Sequence, residues 1–487
     1  MALWPVASLI NQHQRVANVV VNLTLVLLSL SPLAGFEMYL WLTDFGHQNR
    51  VLIYDADKDA YVMNREIYRK YFPSNVLVKN SKIPEVFKPF RTTLEVKAQK
   101  GPNDYRIFCF GGSTTRGDFS KEAFPSILGK IFEESKVARN VEVYNLGITT
   151  LNSFQVADFV DEVVTHHKPD LLIIYMGHNE IYGPLGVAST AQIGKSYWLT
   201  RTMLALHRLR TFQWMQRKID GSHPQKDKKK RAQALFQAMA KSPVPYTSPM
   251  HDEAEKRFRK NLKRILSNGH TSEVPIVIST VASNFRDFKP FSSDLPKDPE
   301  KRFEWQIIMR QARTLGAANR YAEAETHYRE AMKLFPDNAQ QYYELGHLYR
   351  RQGKNEEGWK LFQQAVDHDP IPFRAPSWVN KTIQNTAQEM QVILFDTEQF
   401  LREQSEQMMI GKPIMVEHLH PSTYGHYLIA AGLARTIFDE GLLKEKRPLP
   451  FNTVETLDDL GIKKNQEKFR GDRYWPFTIN NRDYRFP

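Results

Sequence analysis

Five short apolar runs, each followed by glycine or a polar residue, predict the strands of an α/β domain. An amphipathic segment with apolar residues at helical spacing follows the first run, and further helical patterns separate the later ones. Strands that alternate with helices form a parallel sheet with right-handed crossovers, and functional side chains collect at the carboxyl ends of such strands. The predicted strands are residues 107–110, 143–147, 171–177, 275–281 and 391–396.

One long apolar run lies near the N-terminus. Residues 16–36 carry no charge, and as a helix these 21 residues would extend about 32 Å, enough to cross a bilayer of roughly 30 Å. We therefore expect one transmembrane helix. Arg15 before the run and the acids Glu37 and Asp44 after it predict a cytoplasmic N-terminus, with the remaining chain in the periplasm or outside the cell. A cleaved signal peptide and a buried helix of a soluble protein are the alternatives.

Charge adds a preference for anionic surroundings. The 487 residues have a net charge of +12 and a pI near 9.4. No sequence signature of a nucleic-acid-binding fold accompanies the basic residues, so we expect contact with a lipid bilayer and none with nucleic acid. Residues 201–217 mix arginines with apolar side chains, which is typical of an amphipathic helix at a membrane surface or of a helix packed within the protein.

Residues 300–372 contain an internal repeat. Small and aromatic residues recur after 34 positions, the period of tetratricopeptide repeats, in which small residues let paired helices approach closely. Two repeats bury too little surface to be stable alone, so we expect them to pack against the rest of the chain or a partner. They predict a structural insert or a binding site for a protein partner, and the C-terminal tail is another candidate for that contact. The recurring pairs are Ala324 and Gly358, Tyr328 and Phe362, Ala331 and Ala365, and Pro336 and Pro370.

Ser113 follows the first predicted strand and a pair of glycines. Gly111 and Gly112 permit a sharp turn, which would place the hydroxyl at the top of the sheet near backbone amides. This arrangement favours a nucleophile, and a turn that only caps the next helix is the alternative. A phosphate-binding loop is disfavoured because no Gly-Lys-Ser/Thr follows.

Three more blocks follow this serine in chain order: a glycine after the second strand, an asparagine after the third and a histidine near the C-terminus. In this order Ser113, Gly147, Asn179 and His420 resemble the blocks of the SGNH (GDSL-type) hydrolases. The resemblance covers roughly residues 104–185, 273–290 and 388–437. It implies a three-layer fold and ester hydrolysis without a cofactor. Ser113 would attack the ester, His420 would act as the base, and the amides of Ser113 and Gly147 with the Asn179 side chain would hold the oxyanion.

The acid of the SGNH pattern is usually aspartate, and here Glu417 stands three residues before His420. Glutamate also orients the imidazole in some hydrolase triads. His418 is a competing base, and with His420 it forms a His-x-His pattern. No third metal ligand is evident in the sequence, so we expect no metal.

The third block reads Gly-His-Asn-Glu where Gly-x-Asn-Asp is commoner, which retains Asn179. We consider His178, Asn284 and Arg286 candidate substrate contacts. Residues 177–190 also resemble a membrane-anchored bacterial subgroup of SGNH proteins that carries tetratricopeptide repeats.

The sequence therefore predicts an α/β protein with an all-α tetratricopeptide insert and an N-terminal transmembrane helix. Its predicted function is a membrane-anchored serine esterase or acyl hydrolase acting on an O-acyl ester of a glycan or lipid. The alternatives are a catalytically idle scaffold subunit of a membrane complex and a polysaccharide O-acetyltransferase. The predicted segments are an N-terminal anchor (1–44), a stalk (45–103), the hydrolase domain with a helical insert (104–299), the repeats (300–372), the second part of the hydrolase domain (373–440) and a tail (441–487).

Overall fold

A computed structural model describes residues 29–46, 48–64, 66–71, 94–135, 139–189, 196–220, 242–443 and 460–463, with positions 18, 21–22, 25 and 467. Five parallel strands form the central sheet in the order β5-β4-β6-β7-β8. A smaller antiparallel sheet has the order β1-β2-β3, and its first two strands form the hairpin that the apolar pattern near residues 51–63 indicates. The strands are β1 (Leu52–Asp55), β2 (Ala60–Met63), β3 (Glu95–Lys97), β4 (Asp104–Gly111), β5 (Asn140–Gly147), β6 (Leu171–Tyr175), β7 (Ile276–Ser279) and β8 (Ile393–Phe395).

Helices separate the strands of the central sheet and cover both of its faces. They are α1 (residues 29–42), α2 (Tyr68–Tyr71), α3 (Ser113–Arg116), α4 (Phe124–Glu134), α5 (Ser153–His166), α6 (Tyr197–Leu206), α7 (Arg210–Asp220), α8 (Met250–Thr271), α9 (Pro299–Ala317), α10 (Tyr321–Leu334), α11 (Ala339–Arg351), α12 (Asn355–Asp367), α13 (Ser377–Glu389), α14 (Thr397–Glu403) and α15 (Thr423–Asp439).

The strand order determines which helices share a face. The chain steps outward from β4 to β5 and then returns past β4 to β6, so right-handed crossovers place α4 and α5 on opposite faces. Helix α15 packs against α4, while α8 packs against both α5 and α13. The protein is therefore a three-layer α/β fold, as predicted. The connection after β4 leads to one side of the sheet and the connection after β5 leads to the other, so the strand order switches between β4 and β6. Open α/β sheets bind their ligands at such a point.

The tetratricopeptide region is helical and docks on the α/β core. Helices α9 and α10 pack as one pair and α11 and α12 as the next. The Phe285 and Trp359 rings lie 4.5 Å apart where the second pair meets the core. A Cβ at Gly358 would lie 2.9 Å from Cε of Met409, so a small residue is needed there. The expected packing of the repeats against the rest of the chain is confirmed.

Within the described residues, no helix combines the length and the apolar character that crossing a bilayer requires. The predicted transmembrane helix is therefore not confirmed, and most of residues 16–28, where it would begin, lies outside the described part of the chain. Helix α1 packs on α7 through Glu37, whose carboxylate accepts the main-chain N–H groups of Arg210 and Thr211, each at 2.7 Å.

Candidate active site

Ser113 begins α3 directly after the end of β4. A Cβ at Gly111 would lie 2.1 Å from Oγ1 of Thr115 and from the carbonyl oxygen of Tyr175, and a Cβ at Gly112 would lie 2.8 Å from Nδ2 of Asn179. Side chains at either position would therefore collide with neighbouring elements, which explains the glycine pair before the serine. Because Gly111 is in register with Gly147 of β5 and Tyr175 of β6, all three strands end at the same level.

His420 connects the serine to the acid across a long sequence separation. Oγ of Ser113 donates to Nε2 of His420 at 2.7 Å, and Nδ1 of His420 donates to Oε1 of Glu417 at 2.5 Å. The same carboxylate oxygen accepts the main-chain N–H groups of Leu419 at 3.0 Å and His420 at 2.6 Å. This is the geometry of a nucleophile, its general base and the group that orients the base.

The three side chains lie in a largely dry environment. Ser113 is 8% exposed, His420 6% and Glu417 1%. Burial lowers the pKa of His420 to about 4, although the negative charge of Asp118 raises it. His420 is therefore neutral at physiological pH, and a neutral imidazole is the form that can accept the proton of Ser113.

Two of the three predicted oxyanion donors, Asn179 and Gly147, already have acceptors within the protein. Nδ2 of Asn179 donates to the carbonyl oxygen of Leu151 at 2.9 Å and lies 2.8 Å from the position that a Cβ on Gly112 would take. The amide of Gly147 donates to Oδ1 of Asn145 at 2.8 Å, so an oxyanion would have to replace that acceptor. The second amide hydrogen of Asn179 has capacity for a further acceptor.

The structure places the three candidate substrate contacts differently. His178 is buried, and its Nδ1 accepts the main-chain N–H of Ala375 at 3.2 Å, which puts its own proton on Nε2. The main-chain N–H of Asn284 donates to the carbonyl oxygen of His418 at 2.8 Å and so supports the segment that carries His420.

Arg286 connects neighbouring loops. Its guanidinium pairs with Asp287 at 2.9 Å and with Glu406 at 3.0 Å, and it donates to the carbonyl oxygen of Lys412 at 2.8 Å. The structure thus gives Arg286 ionic and hydrogen-bonded partners within the protein, and its role as a substrate contact remains a prediction.

Sequence reasoning did not identify Phe119 as part of the site. Its ring meets that of His420 edge-on, with 4.8 Å between the ring centroids, and 41% of the residue is exposed. Its backbone has a φ of 69°, a left-handed conformation that is rare for an aromatic residue and marks a constrained position. A single aromatic residue in a polar loop gives no periodic signal from which this contact could be predicted.

The contacts of the two candidate bases, His418 and His420, differ. Only His420 reaches Ser113, whereas Nδ1 of His418 contacts the other carboxylate oxygen of Glu417, Oε2. Candidate ligand atoms of Glu417, His418 and His420 lie within 4.8 Å of one another, as a metal site would require. The hydrogen bond from Ser113 to Nε2 and the shared carboxylate fit a serine nucleophile with its base.

Comparison with known proteins identifies the repeats. Residues 314–353 match the TPR repeat family and residues 339–371 match the tetratricopeptide repeat family. No curated protein sequence matches the chain. The repeat region is therefore of the tetratricopeptide kind, as the 34-residue period predicts.

Several solved structures show distant similarity. A GDSL-like lipase from Bacteroides thetaiotaomicron is 10% identical, with a TM-score of 0.30 over 69% of this chain and 88% of its own. A lipase/acylhydrolase from Enterococcus faecalis is 11% identical, with a TM-score of 0.31 over 71% of this chain and 100% of its own. An acetyl-xylooligosaccharide esterase from Geobacillus is 11% identical, with a TM-score of 0.30 over 68% of this chain and 94% of its own. At this level of similarity, a reaction can be inferred only from the site itself.

Proposed function

We propose that this protein is a serine esterase, or acyl hydrolase, that cleaves an O-acyl ester at Ser113. The observation that supports this most directly is the chain of hydrogen bonds from Ser113 Oγ to His420 Nε2 at 2.7 Å and from His420 Nδ1 to Glu417 Oε1 at 2.5 Å. Ser113 and His420 are 307 residues apart in the sequence, and a serine that served only to cap α3 would need neither a buried imidazole nor a buried carboxylate.

In the first half of the reaction, Oγ of Ser113 attacks the ester carbonyl carbon while its proton passes to Nε2 of His420. The Glu417 carboxylate stabilises the imidazolium that forms, and the side chain of Asn179 and the amides of Ser113 and Gly147 are the proposed donors to the oxyanion. The tetrahedral intermediate then expels the alcohol, which takes the proton from His420 and leaves an acyl-serine.

In the second half, water attacks the acyl carbon while His420 accepts its proton. Collapse of the second tetrahedral intermediate releases the carboxylic acid and returns the proton to Oγ of Ser113. A sugar hydroxyl in place of this water would make the protein an O-acetyltransferase, and all the steps up to the acyl-serine would be the same.

The test compares hydrolysis of p-nitrophenyl acetate by wild type, Ser113→Ala and Ser120→Ala. Ser120 lies in the same loop, where its hydroxyl donates to the carbonyl oxygens of Gly117 and Glu122, and it serves as the matched control. We expect Ser113→Ala to abolish turnover and Ser120→Ala to retain it. Equal rates for Ser113→Ala and wild type would refute the proposal. A folded wild type with no activity, recovered in a stable complex after detergent extraction, would favour the scaffold function.

We also propose that the protein lies at a lipid bilayer, with its N-terminus in the cytoplasm and the hydrolase domain in the periplasm or outside the cell. Helix α1 exposes Leu33, Trp41 and Leu42, while Phe36 packs edge-on to Trp214 of α7 at 5.2 Å. Apolar side chains on a helix that is fixed to the catalytic domain suit membrane association. Carbonate-washed membranes should retain wild type, and protease added outside should cleave the hydrolase domain; recovery of all the protein in the soluble fraction would contradict the proposal.

The repeats are the proposed surface for a protein partner. On α9, Phe303 is 66% exposed and Ile307 39% exposed, whereas Trp305 and Met309 of the same helix are buried in the repeat core. Residues four apart share one helix face, so this face presents apolar surface to solvent. Replacement of Phe303 by glutamate should abolish co-purification of a partner without lowering esterase activity, and unchanged co-purification would exclude this face.

A further inference from the structure

Both oxygens of the Glu417 carboxylate contact imidazoles. Oε1 accepts from Nδ1 of His420 and from two main-chain amides, as described above, while Oε2 contacts Nδ1 of His418. Glu417 is 1% exposed and His418 2%, so the carboxylate depends on protein donors instead of water. The acid of the proposed triad thus lies between two histidines, one of which reaches the nucleophile.

The ring of His418 is held from several directions. Its carbonyl oxygen accepts the amide N–H of Asn284, which fixes the backbone. The imidazole packs among three phenylalanines, with ring centroids 5.5 Å from Phe288, 5.0 Å from Phe291 and 6.4 Å from Phe373. An aromatic enclosure of this kind restricts rotation of the imidazole, so that its Nδ1 stays beside Oε2 of Glu417.

Burial, one arginine and two histidines favour the neutral form of His418. Glu417 and His420 lie on its own segment, Arg374 lies on the loop before α13, and His178 lies at the end of β6. Burial, and then His420, Arg374 and His178, lower the pKa of His418 well below its usual value. A neutral imidazole carries one N–H, and a carboxylate oxygen as neighbour selects Nδ1 as the protonated nitrogen.

We propose that His418 is a positioning residue that donates its Nδ1–H to Oε2 of Glu417 and thereby aims Oε1 at His420. This inference rests on the proposed esterase function. The proposal also explains why His418 stands next to Glu417, whose side chain is longer than that of the usual aspartate. Glutamate has one more rotatable bond, and without a second fixed contact its carboxylate could rotate away from Nδ1 of His420.

Two substitutions of equal shape separate donation from packing. In His418→Asn the amide Nδ2 stands at the same distance from the backbone as the imidazole Nδ1 and can donate to Oε2. His418→Leu has nearly the same shape and no donor. Both variants lose the ring that packs among the phenylalanines, so any effect of lost packing should be common to both.

We expect the rate of labelling by a fluorophosphonate probe to fall in His418→Leu by roughly 10-fold to 100-fold relative to His418→Asn, which is the effect of losing one hydrogen bond to a charged group. For p-nitrophenyl acetate the difference should appear in kcat, with KM similar in the two variants, because substrate does not contact His418. Equal rates in the two variants, or a faster leucine variant, would overturn the proposal.

A readout independent of turnover separates failure of this inference from failure of the proposed function. In protein with 15N-labelled histidine, the Nδ1 proton of His418 should give a low-field NMR signal that disappears in His418→Asn and moves in Glu417→Gln. Such a signal in a protein that no probe labels would support the contact while refuting the esterase function. Protonation of His418 only at Nε2 in wild type would overturn the inference whatever the activity.

Discussion

Replacing Glu417 by glutamine removes one negative charge beside His420 while keeping the size of the side chain. In the proposed reaction, His420 becomes positively charged when it accepts the proton of Ser113. A pair of unit charges about 4 Å apart at an effective dielectric constant of about 20 is worth about 4 kcal/mol. At about 1.4 kcal/mol for each tenfold change in rate, we expect Glu417→Gln to slow acylation about 10³-fold.

The assay is the second-order rate constant for fluorophosphonate labelling at pH 7, followed by in-gel fluorescence. Circular dichroism and the thermal midpoint report whether the variant is folded, because the glutamine must also satisfy the donors of Leu419 and His420. Glu403→Gln, on α14, is a matched control that also removes one carboxylate and should label at the wild-type rate. A folded Glu417→Gln protein with a rate within about tenfold of wild type would refute the role assigned to the carboxylate.

Three further predictions concern pH, buried charge and the tail. Because burial lowers the pKa of His420 to about 4, the labelling rate should rise with pH through about 4 and then remain constant to neutral pH. Burial raises the pKa of Glu180 to about 7, above its unfolded value of about 4.5, so its contribution to stability is present at low pH and is lost as the pH rises through about 7. As the pH rises from 5 to 8, the unfolding free energy of wild type should therefore fall by about 3 kcal/mol relative to that of Glu180→Gln, as measured by urea denaturation. Glu467 accepts the amide N–H groups of Lys121 at 3.3 Å and Thr423 at 3.2 Å, so Glu467→Ala should lower the unfolding free energy by about 1–2 kcal/mol.

Each of these predictions has an outcome that would contradict it. If the labelling rate of folded protein instead rose with a midpoint near pH 7, His420 would not be a buried base that is neutral at that pH. A constant difference between Glu180→Gln and wild type across this pH range would mean that the carboxyl does not titrate there. Unchanged stability of Glu467→Ala would show that the tail does not fasten the loop after Ser113 to the start of α15.

The parallel sheet and the position of Ser113 after β4 could be predicted from the sequence because both depend on local patterns. Apolar runs followed by glycine or a polar residue predict the strands. In a parallel sheet the ends of these strands lie at one edge, and the register of Gly111 with Gly147 and Tyr175 agrees with this. His420 lies 307 residues from Ser113, and it was predicted because its block resembles a known family in an ordered series.

Contacts between distant segments that belong to no recognised motif could not be predicted. The edge-on contact of Phe119 with His420, the contact of Glu467 with Thr423 and the pairing of Arg286 with Glu406 all depend on how loops meet after the sheet has formed. Ile462 of the predicted tail is buried in the core of the α/β domain, although its surroundings in the sequence are polar. Such contacts carry no periodicity, so a sequence pattern gives no sign of them.

In the proposed reaction, Ser113 is a nucleophile activated by His420. The most direct test is fluorophosphonate labelling of wild type, Ser113→Ala and His420→Ala, with His426→Ala as the matched control, followed by mass spectrometry of the modified peptide. His426 is also buried, but its Nδ1 accepts the amide N–H of Phe124 at 3.2 Å, so its loss should leave labelling intact if the variant folds. We predict one modified residue, Ser113, and no labelling in Ser113→Ala or His420→Ala. Labelling of folded His420→Ala at the wild-type rate, or no labelling of folded wild type, would contradict the account.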